Sequence, residues 1–475
     1  MPLEVRPLRM KKIGQSLAMV LGILVPAAAV AEDVANLSSL EGDWAGKIDA
    51  GAVKLRLLLH VHTTNGANVA TMDSPDQNAY GLVAAITVDG DRIRISAKGA
   101  AGAFEGSLIA DGSGLVGQWS GAPTSFTRLA PGASTALVRP QIPVKPYPYR
   151  EELVAYQGGT EGVRLGATLT LPSGGGPFPA VVLIAGSGPQ ARDENAFGHP
   201  IFLVLADYLT RHGIAVLRYD KRGLGQSTGD LATATSADFA ADANAGVAYL
   251  KTRPEIDSRQ IGLIGHSEGG VVAPMVANMN PIVAFIVLMA GPAVPGDQVV
   301  MAQTRAVARA ADVSETAIAR NAVLQRRFLD AILAAKDQAS AELAVRAVLK
   351  DAGMPEAAVD AQAKVASSEW YRFFVRYDPA PALRRLRLPV LAIIGSKDLQ
   401  VPAEQNLPAL REALSSDPGA EVIEVPNLNH LFQTAKTGAP SEYGDIEETL
   451  SPTALGLIVH WISERGVDGR RVEVQ

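Results

Sequence analysis

The stretch Ile261-Gly-Leu-Ile-Gly-His-Ser-Glu-Gly-Gly270 decides how the chain is to be read. Ile261 to Ile264 is a short apolar run of the kind that fills a buried parallel strand. It breaks into Gly265-His-Ser-Glu-Gly269, a G-x-S-x-G pentapeptide, and then into Val271-Val-Ala-Pro-Met-Val-Ala277, which reads as a helix. Strand, sharp turn and helix together form the context in which such a serine becomes a nucleophile. The turn is strained, so the residues two away from Ser267 on each side must be small for strand and helix to close. The backbone N–H of Glu268, at the helix start, can then face a developing oxyanion. A second match, Gly225-Gln-Ser-Thr-Gly229, follows a loop and precedes Asp230 and a polar stretch, so Ser227 reads as a loop serine.

A serine hydroxyl needs a base within hydrogen-bond reach, and the base needs a carboxylate to orient it. Folds built on this elbow carry the three in the order serine, carboxylate, histidine. Of seven histidines, His60, His62, His199 and His212 precede the serine, and His266 lies inside the elbow. His460 sits in an amphipathic terminal helix, Ala454 to Ile462. His430 lies in the loop Asn427-Leu-Asn-His-Leu-Phe432, after a strand-like run, and reads as the base. Pro389-Val-Leu-Ala-Ile-Ile-Gly395 reads as a buried strand, and Asp398 is the first carboxylate to emerge from its carboxyl end, where ligand-facing residues belong. The second oxyanion donor is expected after the run Ala180 to Ile184, at Ala185-Gly-Ser-Gly188. There the N–H of Ser187 is expected to pair with that of Glu268.

Around this centre the chain divides. Arg6, Arg9, Lys11 and Lys12 precede the apolar run Ile13 to Val25, and Ala29-Val-Ala31 closes it, so residues 1–31 read as a secretory signal peptide cleaved after Ala31. Residues 38–130 follow period two: Leu55, Leu57, Leu59 and Val61 alternate with Lys54, Arg56, Leu58 and His60. Asp89-Gly90 marks a hairpin between two such runs. This predicts an antiparallel β accessory domain, a small barrel or sandwich with Trp44 and Trp119 in its core. His60 and His62 share one strand face, but with no third ligand in the sequence nearby they read as a solvated surface. Residues 131–150 form a linker, rich in proline and expected to be extended. From 151 to 475 strands alternate with helices, which predicts a mostly parallel sheet covered on both faces. The alanine-rich span at about 295–378 has no strand and reads as a helical cap. Its return strip, Trp370 to Val375 with Tyr377, suits either an acyl pocket or the core of the cap.

Composition sets further bounds. Hydrophobic residues make up 47% and charged residues 19%, enough to build sizeable cores. A net charge of −6 argues against nucleic acid or an anionic membrane as a partner. Without cysteine there are no disulfides and no thiolate chemistry. No other stretch reaches membrane-span length without charges.

Five blocks carry a resemblance: Gly186-Ser-Gly-Pro-Gln-Ala-Arg-Asp-Glu194, Arg218-Tyr-Asp-Lys-Arg-Gly223, Gly265-His-Ser-Glu-Gly-Gly270, Gly395-Ser-Lys-Asp-Leu-Gln-Val401 and Asn429-His-Leu-Phe-Gln433. Over roughly residues 151–465 the chain resembles the secreted bacterial α/β-hydrolase family that includes the EstD-type carboxylesterases. The resemblance implies a serine esterase with the triad Ser267, Asp398 and His430, acting on a small-molecule ester with neither metal nor cofactor. The expected location is periplasmic or secreted. Aminopeptidases and acyl thioesterases share the fold and triad, so the leaving group stays open. A non-catalytic binding protein is the reading from another class.

Overall fold

The computed structural model describes residues 37–49, 54–64, 67–77, 79–100, 102–133 and 137–464. The expected signal peptide, 1–31, lies outside them.

The first eight strands are β1 (Gly42–Asp49), β2 (Lys54–Thr64), β3 (Ala67–Ser74), β4 (Ala79–Asp89), β5 (Arg92–Ala97), β6 (Phe104–Leu108), β7 (Gly114–Trp119) and β8 (Ala122–Arg128). Each pairs antiparallel with the next, and β1 pairs with β8, so the meander closes into a barrel and leaves no free edge. Period two sets what is inside. Leu55, Leu57, Leu59 and Val61 are buried around Trp44, Phe104, Trp119 and Phe126. Gly90, at φ +62°, takes the left-handed position in the β4–β5 hairpin, where Asp89 pairs with Arg92.

No helix or strand occurs among the described residues between Arg128 and Arg150, and this segment is strapped to the α/β half of the chain. The Gln141 side chain accepts the N–H groups of Thr449 and Leu450 and donates to the Leu450 carbonyl.

The second domain is one eight-stranded sheet. Its strands are β9 (Arg150–Gln157), β10 (Arg164–Leu171), β11 (Phe178–Ile184), β14 (Ala215–Tyr219), β15 (Ile256–His266), β16 (Val283–Met289), β17 (Val390–Gly395) and β18 (Ala420–Val425). A two-residue ribbon, β12 (Asn195–Ala196) with β13 (His199–Pro200), lies apart from it. The order is β18-β17-β16-β15-β11-β14-β10-β9, parallel from β18 to β14 and antiparallel at the β10 and β9 edge. Alternation along a strand feeds two separate cores. Val182 and Ile184 of β11 pack in one core, with Ala243 and Val247 of α2 (Ser236–Lys251), Val272 and Val276 of α3 (Gly269–Met279) and Leu407 and Leu410 of α10 (Ala403–Ala413). Val181 and Leu183 pack in the other, with Phe202 and Leu205 of α1 (Ile201–Arg211) and Ile458 and Trp461 of the last described helix, Pro452–Glu464. A sheet covered on both faces explains why its strands read as continuous apolar runs.

Between β16 and β17 the chain leaves the sheet for five helices: α4 (Gly296–Ala310), α5 (Glu315–Ala334), α6 (Gln338–Asp351), α7 (Glu356–Ser367) and α8 (Glu369–Arg376). They close on a core of their own, which includes Phe328, Leu329, Ile332, Val345 and Tyr371. Helix α9 (Ala380–Arg384) leads back to β17.

Candidate active site

The elbow follows from the small residues around it. Ser267 has φ +54°, a left-handed conformation costly for a residue with a Cβ and held only by its surroundings. A Cβ on Gly265 would lie 2.0 Å from the Gly269 carbonyl oxygen, and one on Gly269 would lie 2.0 Å from that of Ile184. Glycine is therefore required on both sides of Ser267, and β15 can turn directly into α3.

Three loops at the carboxyl ends of β15, β17 and β18 bring Ser267, Asp398 and His430 together. His430 Nε2 lies 3.1 Å from Ser267 Oγ, and His430 Nδ1 lies 2.8 Å from Asp398 Oδ2. The other Asp398 oxygen accepts the N–H groups of Gln400 and Val401, each at 2.8 Å, so the carboxylate is fully partnered although its side chain is buried. The His430 loop is fixed by its neighbour. Buried Asn429 accepts the N–H groups of Leu431 and Gln433 through Oδ1 and donates to Gln433 Oε1.

Behind the elbow lies a bracket that sequence reading did not assign. The His266 ring contacts Glu194 Oε1 at 3.0 Å through Nδ1 and the His430 carbonyl at 3.0 Å through Nε2. Glu194 Oε1 also accepts the N–H of Gly186. One buried carboxylate thus ties the loop after β11 to the elbow, and the His266 ring ties the elbow to the backbone of His430.

The loop after β11 is pinned from its other side as well. Lys221 Nζ donates to the Gly186 carbonyl at 2.6 Å and lies 3.3 Å from Glu268 Oε2, with both side chains buried. Glu268 Oε1 accepts from Ser236 Oγ at 2.6 Å and from Trp370 Nε1 of α8 at 2.7 Å. A trans peptide points its N–H opposite its C=O. Fixing the Gly186 carbonyl on Lys221 therefore turns the Ser187 N–H the other way. A Cβ built on Gly186 would lie 3.2 Å from Ser267 Cβ, which places this peptide beside the nucleophile. Glu194 and Lys221 both fall in blocks singled out in the sequence, but only the fold shows what they hold.

His199 and the second serine are committed elsewhere. His199 contacts Thr449 Oγ1 and the Tyr443 carbonyl, and burial pushes its pKa down to about 3. Ser227 Oγ donates to the Asp220 carbonyl and accepts the Gly166 N–H, clamping a loop. The aromatic return strip divides. Tyr371 and Val375 are buried in the core of the cap, whereas Trp370 reaches Glu268. Phe374 and Tyr377 line a small cleft with Ser236, Val271, Pro292 and Val294. An open cleft lined by Tyr147, Arg150, Leu171 and Phe178 lies at the opposite end of β11 from the triad.

Residues 181–439, more than half the chain, match the sequence pattern of the alpha/beta hydrolase family, and the chain belongs to that family. It is similar to esterase EstD of Thermotoga maritima, at 28% identity over 304 residues, covering 63% of this chain and 64% of that protein. It is also similar to the thiohydrolase apmlB of Arthrinium phaeospermum, at 30% identity over 115 residues, 23% of this chain and 36% of that one. The chain thus spans less than two-thirds of the length of either relative. Among solved structures, an esterase of Pyrococcus furiosus superposes with a TM-score of 0.39 at 19% identity, over 62% of this chain and 91% of that one.

Proposed function

We propose that this chain is a serine hydrolase that cleaves carboxylic esters, short-chain acyl esters above all, through an acyl-enzyme on Ser267. The observation that carries the reading is the hydrogen-bonded line from Ser267 Oγ through His430 to Asp398. Ser267 Oγ attacks the ester carbonyl while His430 Nε2 takes its proton. Asp398 holds the ring in the tautomer that this requires and stabilises the imidazolium. The oxyanion is stabilised by the N–H groups of Glu268 and Ser187. As the ester C–O bond breaks, His430 returns the proton to the departing alkoxide. Water, activated by the same histidine, then attacks the acyl-enzyme and releases the acid and the serine. The apolar cleft lined by Val271, Pro292, Val294, Phe374 and Tyr377 is narrow, which favours a small acyl group over a long one.

A thioester leaving group is the second reading, favoured by the similarity to a thiohydrolase. Rates on matched aryl ester, thioester and aminoacyl anilide substrates decide between them. The ester is expected to turn over fastest, with activity lost in Ser267→Ala. Faster thioester or anilide cleavage would move the assignment to thioesterase or peptidase. Ligand binding without turnover of any substrate would leave the fold as a scaffold.

We also propose export to the periplasm or beyond, on the basic start, apolar run and Ala29-Val-Ala31. The exported protein is expected to begin at Glu32, which N-terminal sequencing or intact mass checks. Retention of the apolar run would refute it.

A further inference from the structure

The outer wall of the barrel carries a polar cluster that the hydrolase chemistry does not use. Asp43 of β1 lies directly opposite His60 of β2 in the antiparallel register, and His62 is two residues further along the same face. Leu59 and Val61, between and beside them, point into the barrel core. Asp43 Oδ1 is 2.7 Å from His60 Nδ1 and 3.2 Å from His62 Nε2, and the two rings stack 25° from parallel. All three donor atoms lie within 4.8 Å of one another. The third ligand missing from the local sequence is supplied by the neighbouring strand, through sheet pairing.

A separate observation points the same way. His60 Nε2 lies 3.3 Å from Asp73 Oδ2, and Asp73 Oδ1 accepts the Gly81 N–H at 2.7 Å. Asp73 is thereby held in place on the far side of the imidazole. A carboxylate that takes the outer N–H of a histidine fixes its tautomer and leaves the inner nitrogen to present a lone pair to a metal.

We infer that Asp43, His60 and His62 form a binding site for a divalent transition-metal ion, with Asp73 orienting His60 and water completing the coordination. Two imidazoles and one carboxylate suit zinc, copper or nickel rather than the oxygen-seeking magnesium or calcium. Bonds of about 2.0–2.2 Å set ligand atoms roughly 3.3 Å apart in a tetrahedral site. The Asp43–His62 separation is already close to that value, and the Asp43–His60 contact needs to open by about half an ångström. Asp43 and His62 are half-exposed, which leaves room for water on the metal, and the strands that carry the site are part of a closed barrel.

The test is a titration of full-length, tag-free protein, stripped with a chelator, using Zn²⁺ against a competing chromophoric chelator. One equivalent is expected to bind, weakened at least tenfold in His60→Ala and in His62→Ala. Asp73→Asn is expected to weaken it by about ten- to a hundredfold, as loss of a partner behind a ligand does. Ester hydrolysis is expected to be unchanged in all three. His62 is exposed enough that its replacement leaves the barrel fold in place. Absence of stoichiometric uptake, or uptake undiminished in His62→Ala, would overturn the site. Zn²⁺ uptake that abolished hydrolysis and persisted in His62→Ala would place the metal at the triad instead.

Discussion

At the scale of single residues, the pairing of Glu194 with His266 makes folding stability depend on pH. Burial alone would lower the His266 pKa. The charge of Glu194, its hydrogen bond and the His430 carbonyl outweigh that, and the imidazole is held above the ordinary histidine value. A raised folded-state pKa contributes stability that is fully present below the unfolded value, about 6.5, and is lost as pH rises through the folded value. The melting-temperature gap between wild type and Glu194→Gln is therefore expected to be widest below about pH 6.5 and to narrow toward alkaline pH. Thermal melts across that range check it, and a gap that widened with pH would contradict the bracket. Ser267, Asp398 and His430, which the fold brings into one hydrogen-bonded line, could be singled out in the sequence because the order and loop positions of such a set are constrained by the chemistry. Glu194 was not legible in the same way. It lies eight positions from Gly186 and 72 from His266, and only the folded loop brings it between them.

At the scale of elements, the decisive contact joins the loop after β11 to the elbow between β15 and α3. Lys221 makes it, by holding the Gly186 carbonyl and the Glu268 carboxylate at once. Lys221→Met frees the peptide that carries the Ser187 N–H, and kcat is expected to fall by up to about a hundred- to a thousandfold, the range for a lost oxyanion donor. KM should change little. Because the single variant leaves the Glu268 charge buried and unpaired, the pair Lys221→Met with Glu268→Gln is measured beside it. Recovery of stability without recovery of kcat supports a positioning role, whereas a double variant with wild-type kcat would refute it. The strands themselves were legible because burial on both faces makes them runs of apolar residues. β15 begins at Ile256, before the apolar run at Ile261, because its polar start Asp257 to Gln260 is still within a strand. The aromatic strip of α8 could not be resolved from sequence. A helix turns its residues to different neighbours, and only the packing of the cap sends Tyr371 inward and Trp370 to the elbow.

At the scale of the whole molecule, the barrel rests on the same side of the hydrolase domain that supports the acid loop. Arg56 of β2 is paired with buried Asp76 and donates to the Phe197 carbonyl, and Phe197 packs both on the barrel core and edge-on to Tyr443. Gln400, two residues after Asp398, donates to the Tyr443 hydroxyl. Sequence pattern could place the barrel as a separate unit, but not this junction, which is built from isolated side chains with no periodicity to reveal them. Among the described residues no helix is long and apolar enough to cross a membrane. Ser267 is expected to be the nucleophile rather than Ser227, whose hydroxyl is already engaged on both sides. Reaction with a fluorophosphonate ester, followed by peptide mass mapping, tests this most directly. One adduct per chain on Ser267, forming in step with loss of ester hydrolysis, is the predicted result. An adduct on Ser227, or full inactivation with Ser267 unmodified, would contradict it.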